Sequence, residues 1–226
     1  MLTIVATEQW RAAHPGAVIG LLELSNADNT RPALALADRK RETEARLRAR
    51  YAGFSRRDFT ALPLMATYVD YYKRFDKTYH ILLQVESIAS KGKRLPDVSP
   101  LVDANFVAEV ETLLLTAGHD VGKLRGDVAI DVSRDGDQLT QMDGTRRAIR
   151  AGDMIMRDAG GICCSILYGQ DDRSPISAAT THVLYVTYAP AGVPPEAVAS
   201  HLQAVEEHVR LACPAAVTEQ RRLLSG

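Results

Sequence analysis

The sequence predicts an α+β fold in which helices pack on antiparallel strands of a β-sandwich-like core. Three observations carry the prediction: helix-forming segments dominate up to Gly118, a period-two texture starts at Asp127 and runs through several turn signals, and one more helical pattern follows Pro194-Pro195. Helices, then a strand meander, then a helix is the order of an α+β chain rather than of alternating βαβ units.

Taken in order, Ala17 to Leu24 is an apolar run closed by Ser25-Asn26 and reads as a buried strand. Pro32 opens a helix of good helix formers that runs to Tyr51 and is stopped by Gly53. Leu34, Leu36 and Leu47 give it a thin apolar stripe, so its arginines are expected to face solvent. Asp58 to Phe75 and Thr78 to Ser90 read as two further helices, the second with Ile81, Leu82, Val85 and Ile88 at helical spacing. Ser99-Pro100 is a cap with a first-turn proline, and opens a helix that continues to Gly118 with Val102, Phe106, Val110 and Leu113 on its apolar face. Strands follow in VAIDVS, LTQM, DMIMRD, ICCSILYG and HVLYVTYAP, with Asp143-Gly144 and Asp158 to Gly161 as hairpin turns. Pro194-Pro195 starts the last helix, which stops near Pro214.

The bulk numbers exclude several classes. At 226 residues the chain is expected to form one compact unit. Its longest apolar run falls far short of the roughly 20 residues of a membrane span, and Met1 to Trp10 lacks a signal-peptide pattern, so a cytoplasmic, soluble protein with no membrane partner is expected. Cys163, Cys164 and Cys213 are odd in number and offer neither a disulfide framework nor a CxxC zinc site; no metal or other cofactor is expected. Net charge is −1, so bulk attraction to nucleic acid is excluded. The charge is nevertheless split: Arg39 to Arg94 holds 14 bases against 6 acids, and Asp97 to Asp143 holds 10 acids against 3 bases. Either the first segment, with Arg46, Arg48 and Arg50 on its helix, presents a basic face to RNA phosphates, or the two segments neutralise each other in the fold.

Five phrases occur in a fixed order across Leu95 to Leu184. They are Leu101-Val102-Asp103, His119-Asp120 ahead of Lys123-Leu124-Arg125-Gly126, Leu139 to Gly144, Asp158 to Gly161, and Ser177 to Thr181. Together they resemble the B-three/B-four domain of the bacterial phenylalanyl-tRNA synthetase β subunit, a tRNA-binding and editing module that also occurs as a free-standing protein. The resemblance implies that module's three-layer arrangement, a core over residues 95–190 with mainly helical flanks at 1–94 and 191–226, and an aminoacyl-tRNA ligand. In the family a histidine three residues before the turn aspartate, a glutamate before the last strand and an asparagine on the LVD helix help hold and hydrolyse misacylated tyrosyl-tRNA. Here those positions are Ala117, Pro175 and Phe106, none of which accepts a proton through its side chain. Asn105 lies one residue from the asparagine position, a rotation of about 100° on a helix.

The remaining candidates are local. His119 beside Asp120 reads either as a general base with a carboxylate neighbour or as a turn whose aspartate binds backbone amides. Ser177, Thr180 and Thr181 offer hydroxyls to a ligand or form a local turn. Tyr168 either stacks on a base or sits at the rim of the core. Asn105 completes the substrate-binding set. The reading that joins these residues is a tRNA or aminoacyl-tRNA recognition module; editing deacylation in trans is the reaction the resemblance implies, with the family's histidine and glutamate absent. The alternative is a protein that binds or hydrolyses an amino-acid-like small molecule in the same pocket.

Overall fold

The structure is a computed structural model that describes residues 2–226. The elements in chain order are β1 (Ile4–Ala6), α1 (Glu8–Ala13), β2 (Val18–Ser25), α2 (Leu34–Arg50), α3 (Arg56–Thr60), α4 (Pro63–Lys73), α5 (His80–Lys91) and α6 (Pro100–Thr112). They continue as β3 (Thr116–Asp120), a 3₁₀ turn, β4 (Val128–Val132), β5 (Gln138–Thr140), β6 (Arg146–Ala148), β7 (Met154–Asp158), β8 (Gly161–Ser165), β9 (Gly169–Gln170), β10 (Val183–Ala189), α7 (Pro195–Ala212) and β11 (Val217–Ser225). One sheet runs β1-β4-β7-β8-β9, antiparallel except for the parallel β1–β4 pair; a second, fully antiparallel, runs β11-β2-β10-β3; and β5-β6 is a separate hairpin. The fold is α+β with predominantly antiparallel sheets and packed helices, as expected.

β2 and β10 are buried along nearly their whole length, which is why they read as continuous apolar runs rather than alternating ones. Helix α7 lies on β2, and α6 packs against α7. The close approach depends on Gly20, where an added Cβ would stand 2.7 Å from Val198 Cγ1.

Four expectations are corrected. The helix expected over 58–75 is two helices, because Pro63 cannot donate to the preceding turn and Leu62 before it takes an extended conformation (ψ 130°). The helix expected to reach Gly118 stops at Thr112: Leu113 turns left-handed (φ 67°), an oxygen of the Glu109 carboxyl accepts from the Thr116 amide, and Thr116 to Asp120 pairs with β10 as β3. Ser99 makes no side-chain capping bond. The flanks, mainly helical, carry two strands that were not expected, β1 and β11; β11 (VTEQRRLLS) is a polar edge strand on β2 and lacks the apolar signal of a buried strand.

Candidate functional site

A cavity of about 490 Å³ opens between α5, α6, β3 and the β8–β9 region. Such a volume falls in the roughly 300–1,000 Å³ of small-molecule sites. Helix α6 supplies one wall because Val102, Asn105, Phe106 and Glu109 recur at helical spacing and share a face. Ile166, Ile176 and Met142 complete an apolar surface, while Gln170, Gln84 and His80 place polar groups around it.

Asn105 and Glu109 are among the buried polar groups of the lining. Glu109 is 2% exposed, and one of its oxygens accepts the Thr116 amide at 2.8 Å. Burial pushes its carboxyl up to about 8, against the opposing pull of hydrogen bonds from Thr116 and Asn105, so at neutral pH it is mostly protonated. Asn105 Nδ2 donates to the Thr116 carbonyl at 3.0 Å, while its Oδ1 is buried with no hydrogen-bond partner. A buried acceptor left unpaired is costly, which marks this spot as one a ligand donor would satisfy. His80, the first residue of α5, reaches the mouth of the cavity with part of its ring in solvent. Desolvation by the surrounding protein disfavours the imidazolium, so its pKa lies below the ordinary 6.5.

His119 is fully buried and is not part of the cavity lining. Ser174 Oγ donates to Asp171 Oδ1 at 2.6 Å, so at the 2.8 Å contact with His119 it accepts from Nδ1–H; Gln170 spends both amide hydrogens on the carbonyls of Gly118 and Ser174. This network assigns the proton to Nδ1 and leaves Nε2 bare in the interior. Desolvation lowers the His119 pKa to about 3. The imidazole therefore sits behind the cavity wall, bonded to Ser174 and 3.1 Å from the Gln170 amide, while the backbone of His119 bridges Pro175.

Asp120 closes a turn: Oδ1 accepts from the Gly122 amide at 3.0 Å and Oδ2 from Thr180 Oγ1 at 2.7 Å, and Thr180 Oγ1 accepts in turn from the Ser177 amide at 2.9 Å. The structure thus brings Asp120, Ser177 and Thr180 together, away from the cavity, with Thr181 exposed beside them. Tyr168 packs on the small cluster of Leu139, Ile149, Ile155 and Ile162, with the Lys77 ammonium 4.4 Å above its ring; its neighbour Gly169 lines the cavity and it does not. Of the expected substrate-binding residues, Asn105 alone stands in the cavity wall.

The α2 arginines have partners within the chain. Arg46 pairs with Glu111 of α6, Arg48 with Glu44 at 3.6 Å and with the Lys93 carbonyl at 3.1 Å, and Arg50 lies 5.3 Å from the Tyr51 ring centre. Lys40 is buried between Asp97 and Asp103. The basic and acidic segments meet here and offset each other.

Residues 70–208, more than half of the chain, match the B3/4 domain. The chain belongs to the B3/4 domain family. A phenylalanine–tRNA ligase β subunit from Anaeromyxobacter dehalogenans (strain 2CP-C) is 33% identical over 100 residues, 40% of this chain and 12% of that protein. The fold is similar to that of an N-terminal fragment of the phenylalanyl-tRNA synthetase β subunit from Pyrococcus horikoshii, with a TM-score of 0.51 at 6% identity, covering all of this chain and 55% of the fragment. The chain thus spans only part of either relative, and at that identity the solved structure speaks to fold alone. Every residue lining the cavity lies inside the B3/4 match. Ala117, Pro175 and Phe106 all line it too, so positions on β3, before β10 and on α6 converge on one cavity.

Sequence reasoning missed Glu109, His80 and Gln170. The i, i+3, i+4, i+7 stripe of Val102, Asn105, Phe106 and Glu109 held a signal, since a carboxylate and an amide interrupt an otherwise apolar face. His80 and Gln170 carry no comparable signal, because their place depends on how the α4–α5 turn and β9 meet the sheet. Among the described residues no group of three or more His, Cys, Asp or Glu side chains is placed to hold a metal ion, and no helix is long and apolar enough to cross a membrane.

Proposed function

We propose that this B3/4 protein recognises the aminoacyl end of a charged tRNA, seating the amino-acid side chain in the cavity between α5, α6 and β3. The observation that carries the reading is the cavity itself. It lies within the family match, has the size of a small-molecule site, and combines an apolar wall at Val102, Phe106 and Ile176 with buried hydrogen-bonding groups at Asn105 and Glu109. Ala117 and Pro175 give the wall no proton acceptor, so any hydrolysis would draw on His80, which is neutral near pH 7 and reaches the cavity mouth. The phosphate backbone would be met by surface cations such as Arg50, Lys93 and Arg94 rather than by the paired Arg46.

The test is to offer purified protein total tRNA, charged and uncharged, and to measure retention and deacylation. Preferential retention of charged tRNA supports the reading, and deacylation that falls on His80→Ala would extend it to catalysis. Equal retention of both forms would overturn it.

A second reading, a binding protein for free amino-acid-like molecules, is favoured by the intramolecular pairing of the α2 bases and by the lack, among the described residues, of any lysine or arginine in the cavity lining. It is told apart by the same assay, with a free amino-acid ester bound and tRNA adding nothing to affinity.

A further inference from the structure

Within the cavity, the α6 face places two acceptor groups one helical turn apart. Asn105 Oδ1 is buried without a partner, and the Glu109 carboxyl is 2% exposed, with the Thr116 amide on one oxygen and the Asn105 amide as its other hydrogen-bonding neighbour. Asn105 cannot use Oδ1 internally, because Nδ2 is the atom that faces the Thr116 carbonyl and Glu109. The groups around Glu109 supply no cation. Tyr68 and Tyr72 of α4 and Tyr79 before α5 are phenols held neutral by burial; His80 is neutral, Cys164 across the cavity is a buried thiol, and His201 of α7 stands behind Thr116, with Oγ1 2.6 Å from its ring and a pKa depressed by burial.

A carboxyl and an orphaned carbonyl in one cavity wall, with no cation among their neighbours, lack what an ammonium group supplies: several N–H donors and a positive charge. With no such partner the Glu109 carboxyl keeps its proton, and an arriving ammonium displaces that proton to solvent and pairs with the carboxylate left behind. Resting on the aminoacyl reading above, we infer that Asn105 and Glu109 form a subsite for the free α-ammonium of the ligand, so that the cavity selects amino-acid derivatives with an unblocked amine over N-acylated or amine-free ones. The side chain of the ligand then runs along Val102 and Phe106 of the same α6 face and Ile176, all of which line the same cavity. Rejection follows from the same groups, since an amine-free analogue strands both acceptors and an N-acyl group brings bulk and a single donor to a site that offers two.

The experiment is calorimetric titration of the whole protein with L-phenylalanine methyl ester, its N-acetyl derivative and methyl 3-phenylpropionate, at pH 6 where the free amine carries its proton. The amine is expected to bind at least tenfold more tightly than either analogue. In Glu109→Gln, which keeps the side-chain shape and an acceptor for the Thr116 amide, the amine ester is expected to fall to within about threefold of methyl 3-phenylpropionate. The comparison within the unaltered protein needs no variant to fold. Equal binding of all three esters would overturn the ammonium subsite while leaving the aminoacyl cavity standing, as would a Glu109→Gln protein that keeps the full preference. Binding of none of them by folded protein would overturn the cavity reading and the subsite with it.

Discussion

Replacing Glu109 by Gln should stabilise the protein, and by an amount that depends on pH. The carboxyl is fully enclosed, and its pKa rises from the ordinary 4.5 to about 8, with desolvation outweighing its hydrogen bonds. Because the folded-state value lies above the unfolded one, the side chain contributes most favourably below pH 4.5, and that contribution is lost as pH climbs through about 8. Each unit of difference corresponds to about 1.4 kcal/mol, so keeping the carboxyl buried costs on the order of 3 kcal/mol at pH 7 and roughly 5 kcal/mol above pH 9. Glutamine carries no such cost and retains an oxygen for the Thr116 amide, 2.8 Å away in the present chain. Allowing for imperfect substitution of the Asn105 contact, the expected gain is about 2–3 kcal/mol at pH 7, or roughly 5–10 °C in Tm at this chain length. Asp153, raised to about 7 by burial, adds its own pH dependence but is common to both proteins and drops out of the difference. The assay is thermal denaturation of both proteins from pH 4.5 to 9. A Tm difference that opens from near zero at the acid end is expected. A constant difference, or a Glu109→Gln protein less stable at pH 8.5, would refute the argument. A group that costs stability at its working pH is one retained for function.

Three other outcomes are expected. His119→Ala should destabilise the fold by about 1–3 kcal/mol in a denaturant titration, by unpairing Ser174 and loosening Gln170, while leaving the pH profile of any deacylation unchanged; a profile that loses a limb would return His119 to a catalytic role. Arg50→Glu should weaken tRNA retention and flatten its salt dependence by about one phosphate contact, measured by filter binding across salt; it is a cleaner change than reversal of Arg46 or Arg48, which also breaks their pairs with Glu111 and Glu44. Ala117→Phe should fill the cavity and lower ester affinity at least tenfold with little loss of stability, checked by calorimetry and Tm together, since Ala117 lines the open space.

The helix and strand order was legible because most elements announce themselves by composition: β2 and β10 by continuous apolar runs, α2 by its helix formers, the β5–β6 hairpin by Asp143-Gly144. The end of α6 was not, because it is set by a side chain, Glu109, reaching forward to the Thr116 amide rather than by Gly118, six residues beyond Thr112. The same residue explains the partial view of the site. Val102 and Phe106 read as a core-facing stripe, but they are only half-buried and face the cavity; the packed face of α6 runs through Leu101, Ala104, Val107 and Ala108. Asn105 reached the cavity although one helical step separates it from Phe106, since the cavity spans enough of the helix circumference to take both. The seclusion of His119 depends on Ser174 and Gln170, some fifty residues away in sequence, and no local pattern encodes it.

The central claim, that the cavity is where the ligand sits, is tested most directly by following the methionine methyl resonances while L-phenylalanine methyl ester is added. Met142 projects at the cavity mouth, 63% exposed, whereas Met65, Met154 and Met156 are buried in the core and outside the cavity lining. The account predicts a saturable shift of the Met142 methyl with the three core methyls nearly still, and loss of that shift in Ala117→Phe. A Met142 signal that does not move at saturating ester, or one that moves equally in Ala117→Phe, would contradict it.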